Sequence, residues 1–433
     1  MRAMWKLALA GVAAMALVSG ATAQEASGAG SDRGWVTTWT TALLKPTFVF
    51  SNPGNYGFEN RTLRMTALTS SGGSKVRVRL TNRHGKAPLV IGKAAIGPRH
   101  KPFNADLVQS HIRNLTFGGQ AGVTIPPGGD IVSDAVAMDV LPSQLLGVDV
   151  FLPEKTGAIA YNFATATTSY SAEGDRAGTA SGKGFEPTTS WYVVEGIEVE
   201  NPKSVGTIVA CCDSVSITGQ VDAGMRWPEI LSREFRERWD DRAPSIVQTT
   251  LSGQRLLTTS HYAESSVSRF ERDVLDETNV RAVLLFVGVN DLGVPQMPPV
   301  DIYSPTNDVS AEEMIEGFKR VVAMARARGV PIFGATIAPG SGYVHLGSPY
   351  WSPAQEVKRR KINAWLRSTD IFEKVFDFAA AVQNPLDEEY YRPGASFDNI
   401  HPSDSGQYLI AKSIDVGLVM KAAERAKPKP AKP

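Results

Sequence analysis

The stretch that decides the fold is Arg281-Ala282-Val283-Leu284-Leu285-Phe286-Val287, followed at once by Gly288-Val289-Asn290-Asp291. Seven residues with one polar member read as a strand buried on both faces, the kind found in parallel sheets rather than in alternating, half-solvated ones. Its neighbours fit that frame. Upstream lie an apolar run over Val205–Ala210 and a helical pattern at Trp227, Ile230, Leu231, Phe235 and Trp239, with Pro228 near its start. A strand over Ser245–Gln248 and a helix over Glu264–Glu277 follow. Downstream, Ser310 three residues before Glu313 is a capping-box signature for a helix reaching about Arg328. Pro331–Ile337, a helix over Pro353–Arg367, a strand over Val375–Phe378 and a helix over Asp404–Met420 complete five β–α pairs. Alternation of this sort predicts a doubly wound α/β domain over residues 204–420.

The preceding half has another texture. Lys75-Val76-Arg77-Val78-Arg79-Leu80 alternates polar and apolar side chains, the period of a half-buried strand. Short runs of similar kind recur at Leu89–Ile91, Gly122–Ile125, Gly147–Leu152 and Trp191–Val194. Turn formers separate them, as in Ser51-Asn52-Pro53-Gly54 and Pro126-Pro127-Gly128-Gly129. No long amphipathic helix is evident, so residues 24–203 are expected to form an all-β sandwich or jelly-roll-like domain.

The ends complete the organisation. Arg2 and Lys6, the apolar run Leu7–Val18 and the small residues Ala21-Thr22-Ala23 predict a signal peptide over residues 1–23, hence a periplasmic or secreted protein. That apolar run is too short to span a membrane, which takes about 20 residues. The Lys-, Pro- and Ala-rich segment 421–433 reads as a disordered basic tail. The whole chain has a formal charge of +1, but the two ends supply seven basic residues and one acidic one. The remainder holds 38 basic against 43 acidic residues, an acidic body without the basic excess of a nucleic-acid binder. Composition leaves the oligomeric state open.

Open parallel sheets bind ligands beyond the carboxyl ends of their strands. Four segments there carry chemistry: Asp213-Ser214, Ser252-Gly253, Gly288-Val289-Asn290-Asp291, and Asp398-Asn399-Ile400-His401-Pro402. A serine hydroxyl needs a base to accept its proton, and a neutral imidazole oriented by a carboxylate is suited to that. Ser214, His401 and Asp398 are therefore the candidate nucleophile, base and orienting acid. An ester's tetrahedral intermediate needs donors for its oxyanion. The N–H groups of Ser214 and Gly253 and the Asn290 amide are the candidates. Each segment alone has a bland reading as a turn or cap; their coincidence at one sheet edge argues against it.

Residues 205–420 resemble the SGNH, or GDSL-type, serine esterases. The likeness rests on the four blocks in family order, Asp213-Ser214, Gly253, Gly288-x-Asn290-Asp291 and Asp398-x-x-His401-Pro402. Met225-Arg226-Trp227-Pro228, Gly253-Gln254-Arg255-Leu256-Leu257, Arg269-Phe270-x-Arg272-Asp273-Val274-Leu275 and Asn363–Arg367 are similar to the family's exported, two-part members. So is Trp35-Val36-x-x-Trp39 to their β-domain. The resemblance implies a flavodoxin-like layered domain, the same six roles for Ser214, His401, Asp398, Gly253 and Asn290, and no cofactor. It departs at Cys212, where the family usually has glycine before the Asp-Ser pair.

Two other readings bear on that departure. Cys211 and Cys212 are the chain's only cysteines, and adjacent thiols make a poor disulfide, so both are expected as free, buried side chains. Cys212 as nucleophile is the rival assignment to Ser214. No histidine lies at metal-ligand spacing from a cysteine or another histidine, so no metal site is expected. The expected function is an exported serine hydrolase of carboxylic esters, acting on acetyl or short acyl groups of a small molecule or polysaccharide. A glycan- or cell-wall-binding protein with a degenerate hydrolase domain is the alternative.

Overall fold

The computed structural model describes residues 34–47, 51–163, 165–298 and 301–427. The expected signal peptide and the last six residues of the expected tail lie outside the described residues.

The first half is all antiparallel sheet. One sheet runs in the order Trp35–Thr40, Val194–Glu200, Gly73–Thr81, Asp130–Val132, with Val136–Val140 also on Gly73–Thr81. A six-stranded sheet runs Glu186–Thr188, Ser169–Glu173, Arg61–Leu68, Leu145–Leu152, Lys93–Pro98, Arg113–Leu115. Their facing side chains, among them Val36, Val76, Val78, Leu63, Met65, Val148 and Val150, form one apolar core. The predicted strands at 75–80, 89–91 and 147–152 lie within observed ones, and the one at 122–125 is observed as Val123–Ile125. Arg61–Leu68 was not expected; Arg64, on the face opposite Leu63 and Met65, reads as a solvent-facing polar residue but is covered. That guanidinium is fully buried and bonds Asp149 twice, Nε to Oδ1 at 2.6 Å and Nη2 to Oδ2 at 2.8 Å. Trp191–Val194 is not one strand. Val193 has φ +61°, which breaks it into Trp191–Tyr192 and Val194–Glu200.

The second half is the predicted α/β fold. Its parallel sheet has the order Ser245–Gln248, Thr207–Cys212, Val280–Phe286, Ile332–Ala335, Val375–Phe376, the 2-1-3-4-5 arrangement of flavodoxin-like folds. Every residue of Thr207–Cys212 is buried, as a central strand covered on both faces requires. Helices Trp227–Trp239, Asp404–Lys412 and Val416–Arg425 pack together in one layer; Ser266–Phe270, Ala311–Ala327 and Pro353–Ser368 pack together in another.

Local chemistry explains the boundaries. Ser310 Oγ accepts from Glu313 N–H at 3.1 Å while Glu313 Oε2 accepts from Ser310 N–H at 2.7 Å, the predicted capping box. The expected strand over Val375–Phe378 stops at Phe376, since the Asp377 carboxylate accepts from Ala380 N–H at 3.1 Å and starts the helix Phe378–Val382. The expected helix Asp404–Met420 is two helices, because Asp415 caps a new one that runs to Arg425. Lys421–Arg425 are thus helical rather than loose, held by buried Ala422 and Ala423.

The halves meet along a polar seam. Glu277 accepts from Thr37 Oγ1 at 2.9 Å, Thr40 Oγ1 at 2.8 Å and Arg79 Nη2 at 2.8 Å. Ser70 Oγ accepts from Ile246 N–H at 2.6 Å, tying the β-half to an edge strand of the parallel sheet.

Candidate active site

All four predicted segments lie at the carboxyl end of the parallel sheet, and hydrogen bonds join them. Thr207–Cys212 ends in a turn in which Asp213 is extended and its Oδ1 accepts from Val215 N–H at 3.2 Å, starting the single 3-10 turn Ser214–Ser216. Ser214 Oγ stands 3.0 Å from His401 Nε2, and His401 Nδ1 stands 2.7 Å from Asp398 Oδ2. The carboxylate can accept only from a protonated Nδ1, which leaves Nε2 to accept the serine proton. Asp398 Oδ1 also accepts from the N–H groups of Ile400 at 3.1 Å and His401 at 2.8 Å. Burial pushes the Asp398 carboxyl up, but the bond and charge of His401, with those N–H groups, outweigh it and hold it below the usual carboxylate range.

The candidate oxyanion donors come from two neighbouring loops. Gly253 has φ +68°, and a Cβ there would fall 1.9 Å from Tyr262 Oη, so glycine is required. Asn290 is the second residue of the short helix Val289–Gly293, and its Nδ2 donates to the carbonyl of Gln254, the residue after Gly253, at 3.0 Å. Among the described residues the N–H groups of Ser214 and Gly253 have no protein acceptor, so both are available to a substrate oxygen.

Three residues outside the predicted set hold this arrangement. Asp291 accepts from Leu256 N–H at 2.6 Å and Leu257 N–H at 3.1 Å, fastening the Gly253 loop to the Asn290 helix. Its burial pushes the carboxyl up to about 6 against those bonds. Gln407, fully buried, donates to Val215 O at 2.9 Å and Thr218 O at 3.1 Å and accepts from Trp227 N–H. Tyr350 donates to Asn290 Oδ1 at 2.6 Å. Asp291 was visible in its motif; Gln407 and Tyr350 stand in no local pattern and are identified only by what they touch.

Cys212 is the last residue of the strand Thr207–Cys212, fully buried and in register with Phe286. It is not among the positive-φ residues, so the backbone there does not call for glycine. Both cysteines are free and buried, and burial pushes the Cys212 thiol far up, away from the thiolate a nucleophile needs. Among the described residues no group of three or more His, Cys, Asp or Glu is arranged to hold a metal ion.

Aromatic side chains surround the site. Tyr343 stands edge-on to His401 with ring centroids 5.6 Å apart, and Phe397 stacks on the same imidazole at 5.9 Å and 13°. His345 lies between the Tyr343 hydroxyl, 2.9 Å from Nδ1, and the Tyr303 hydroxyl, 3.2 Å from Nε2.

Residues 212–409 match the GDSL-like lipase/acylhydrolase family. No curated protein matches the chain. Among solved structures it is similar to a GDSL-like lipase from Bacteroides thetaiotaomicron VPI-5482, at 14% identity over 52% of this chain and 88% of that one, TM-score 0.35. It is also similar to a carbohydrate acetylesterase family member from Sinorhizobium meliloti, at 14% identity over 48% and 94%, TM-score 0.34. An acetyl xylan esterase is similar at 16% identity over 48% and 96%, TM-score 0.35.

Proposed function

We propose that this chain is a carboxylic ester hydrolase working through an acyl-enzyme on Ser214, a reading supported by the match of residues 212–409 to the GDSL-like lipase/acylhydrolase family. The observation that carries this reading is the chain of contacts from Ser214 Oγ to His401 Nε2 and from His401 Nδ1 to Asp398. Ser214 Oγ attacks the ester carbonyl while its proton passes to His401 Nε2. Asp398 stabilises the imidazolium that results. The N–H groups of Ser214 and Gly253 and the Asn290 amide receive the oxyanion. His401 returns the proton to the leaving alcohol, and a water activated by the same imidazole then releases the acid and restores Ser214.

The proposed substrate carries an acetyl or other short acyl group, on a small molecule or a polysaccharide. Phe397 supports the latter. The residue is 65% exposed and its ring is stacked on the imidazole that protonates the leaving alcohol, a flat apolar face where a sugar ring can lie. Export to the periplasm or beyond is proposed on the basic, apolar and small-residue blocks of residues 1–23. Among the described residues no helix is long and apolar enough to cross a membrane.

The test is an ester panel from acetyl to long-chain acyl groups, including acetylated polysaccharides, on wild type and Ser214→Ala. The substitution should lower turnover by several orders of magnitude, as removal of a triad nucleophile does. A fluorophosphonate should label wild type and spare the variant. Unchanged hydrolysis in Ser214→Ala would exclude the mechanism, and a wild type that neither hydrolyses nor labels would favour an idle, glycan-binding domain.

A further inference from the structure

A primary amide has two ends of opposite character, one donating and one accepting, and they differ little in shape. An oxyanion hole that uses Asn290 works only if the Nδ2 end faces the reacting oxygen, because Oδ1 there would repel the charge. Something must therefore choose between the two orientations.

We infer that Tyr350 is a positioning residue for the oxyanion hole, its hydroxyl fixing the orientation of the Asn290 amide. The inference rests on the role proposed above for Asn290. Two neighbours distinguish the amide's ends. The carbonyl of Gln254 can only accept, so the end 3.0 Å from it is Nδ2. Oδ1 then faces the Tyr350 hydroxyl at 2.6 Å, which donates to it. One N–H of Nδ2 is used by Gln254; among the described residues the other has no protein acceptor and is left for the substrate oxygen. Tyr350 is buried, and that burial pushes its phenol far above the usual range, so the hydroxyl keeps its proton at any working pH.

The tyrosine is built in rather than incidental. Gly293, one turn after Asn290 on the same short helix, makes room for its ring. A Cβ at 293 would lie 1.8 Å from Tyr350 Cε1 and 2.2 Å from Cδ1. The ring packs edge-on against Tyr343 at 5.3 Å and 78°, and Tyr343 in turn stands edge-on to His401. The phenol thus stands between the oxyanion amide and Tyr343, the residue that touches the imidazole, and lies 60 residues along the chain from Asn290.

The experiment is steady-state hydrolysis of p-nitrophenyl acetate by the full chain as wild type, Ser214→Ala, Asn290→Ala, Tyr350→Phe and Asn290→Ala/Tyr350→Phe, with a thermal melt of each. Tyr350→Phe removes one oxygen and keeps the ring. It should lower kcat roughly tenfold with KM changed by less than about twofold, as a loss of transition-state preorganisation does. Asn290→Ala should lower kcat by about 10²–10³. In that background, adding Tyr350→Phe should change kcat by less than about twofold, because there is no amide left to orient. An equal fall in kcat with and without Asn290, or no fall in Tyr350→Phe, overturns the inference while leaving the serine mechanism in place. Full activity in Ser214→Ala or Asn290→Ala overturns the reading it rests on, and the inference with it.

Discussion

Gln407, six residues after His401 and on the helix that His401 and Pro402 lead into, donates to the carbonyl of Val215, the residue next to Ser214, at 2.9 Å. The proposed nucleophile and base thus share a buried connection as well as their direct contact. The same amide reaches Thr218 O, and Thr218 Oγ1 donates to Pro402 O at 3.1 Å, a second link between the same two loops.

Replacing Gln407 with leucine should therefore loosen Ser214 relative to His401. It leaves the buried Val215 carbonyl without this donor and the buried Trp227 N–H without its acceptor, and each unsatisfied group costs about 1–3 kcal/mol. The expected result is a lower melting temperature and a kcat loss of about tenfold or more, since small misplacements of reacting groups are costly. Kinetics at a temperature well below the melt of the variant separate the two effects. A destabilised variant with unaltered kcat would show that the link serves folding alone.

Gly253 is the second position where geometry decides the outcome. Alanine at φ +68° costs about 1–2 kcal/mol, and its Cβ would collide with the Tyr262 hydroxyl. That hydroxyl donates to Ser252 O at 2.7 Å, so its displacement disturbs the loop that presents the Gly253 N–H. Gly253→Ala should be less stable and lower in kcat, with a melt and p-nitrophenyl acetate kinetics as the two readouts.

How much of this was legible in the sequence follows from the range of each signal. The parallel sheet announced itself through Arg281–Val287, because a strand covered on both faces has little room for polar residues. Ser214, Gly253, Asn290, Asp398 and His401 were readable because each sits in a short segment at a strand end, with its chemical partner nearby in sequence or in a familiar order. Gln407 and Tyr350 act across 192 and 60 residues, and nothing local to either marks it. The strand Arg61–Leu68 was hidden for a related reason: its buried Arg64 is balanced by Asp149, 85 residues away. Leu63, Met65 and Ala67 do alternate with Thr62, Arg64 and Thr66 there, but nothing in the local pattern shows that the polar face is buried as well.

Asp213 predicts a specific pH dependence of stability. Its carboxyl is fully buried, among the described residues Oδ2 has no hydrogen-bond partner, and burial pushes the group up to about 8, with the nearby Asp291 charge adding to the shift. A carboxyl whose folded pKa is raised favours the fold while it is protonated. Its contribution is fully present below the unfolded value near 4 and is lost as pH rises through about 8. Asp213→Asn removes that titration while keeping an oxygen to accept from Val215 N–H. Relative to wild type, the variant should therefore gain stability steadily as pH rises from about 4 to 8. Denaturant melts of both proteins across that range check the sign, and parallel curves would show that the carboxylate is not strained by burial.

The seam between the halves makes a prediction about cooperativity. Glu277 belongs to the α/β half and takes hydrogen bonds from Thr37, Thr40 and Arg79 of the β-half. Removing one partner of a buried ion pair costs about 3–5 kcal/mol, because the other charge stays behind. Arg79 keeps Glu195 at 3.4 Å and Glu198 at 3.6 Å, so the cost here should fall toward the lower end. Glu277→Ala should lower the melt of both halves together if the seam couples them. Two separated transitions, with the α/β half retaining ester hydrolysis after the first, would show that it does not.

Cys212 raises the question of what glycine, the residue expected at this position from the resemblance, would change. From Ile208 to Cys212 the strand pairs residue by residue with Ala282 to Phe286, an extended conformation open to any side chain. Glycine would gain no conformation it needs and would lose a packed side chain from a fully buried position. Cys212→Gly should therefore cost about 1 kcal/mol or more in stability and leave kcat near the wild-type value. The thiol itself should be silent: at neutral pH native enzyme should keep its activity through iodoacetamide treatment that alkylates the cysteines of the unfolded chain, since burial holds Cys212 protonated and out of reach. A rise in kcat for Cys212→Gly would mean that the cysteine displaces Ser214 from its best position, and loss of activity on alkylating the folded protein would mean that the strand opens to solvent during turnover.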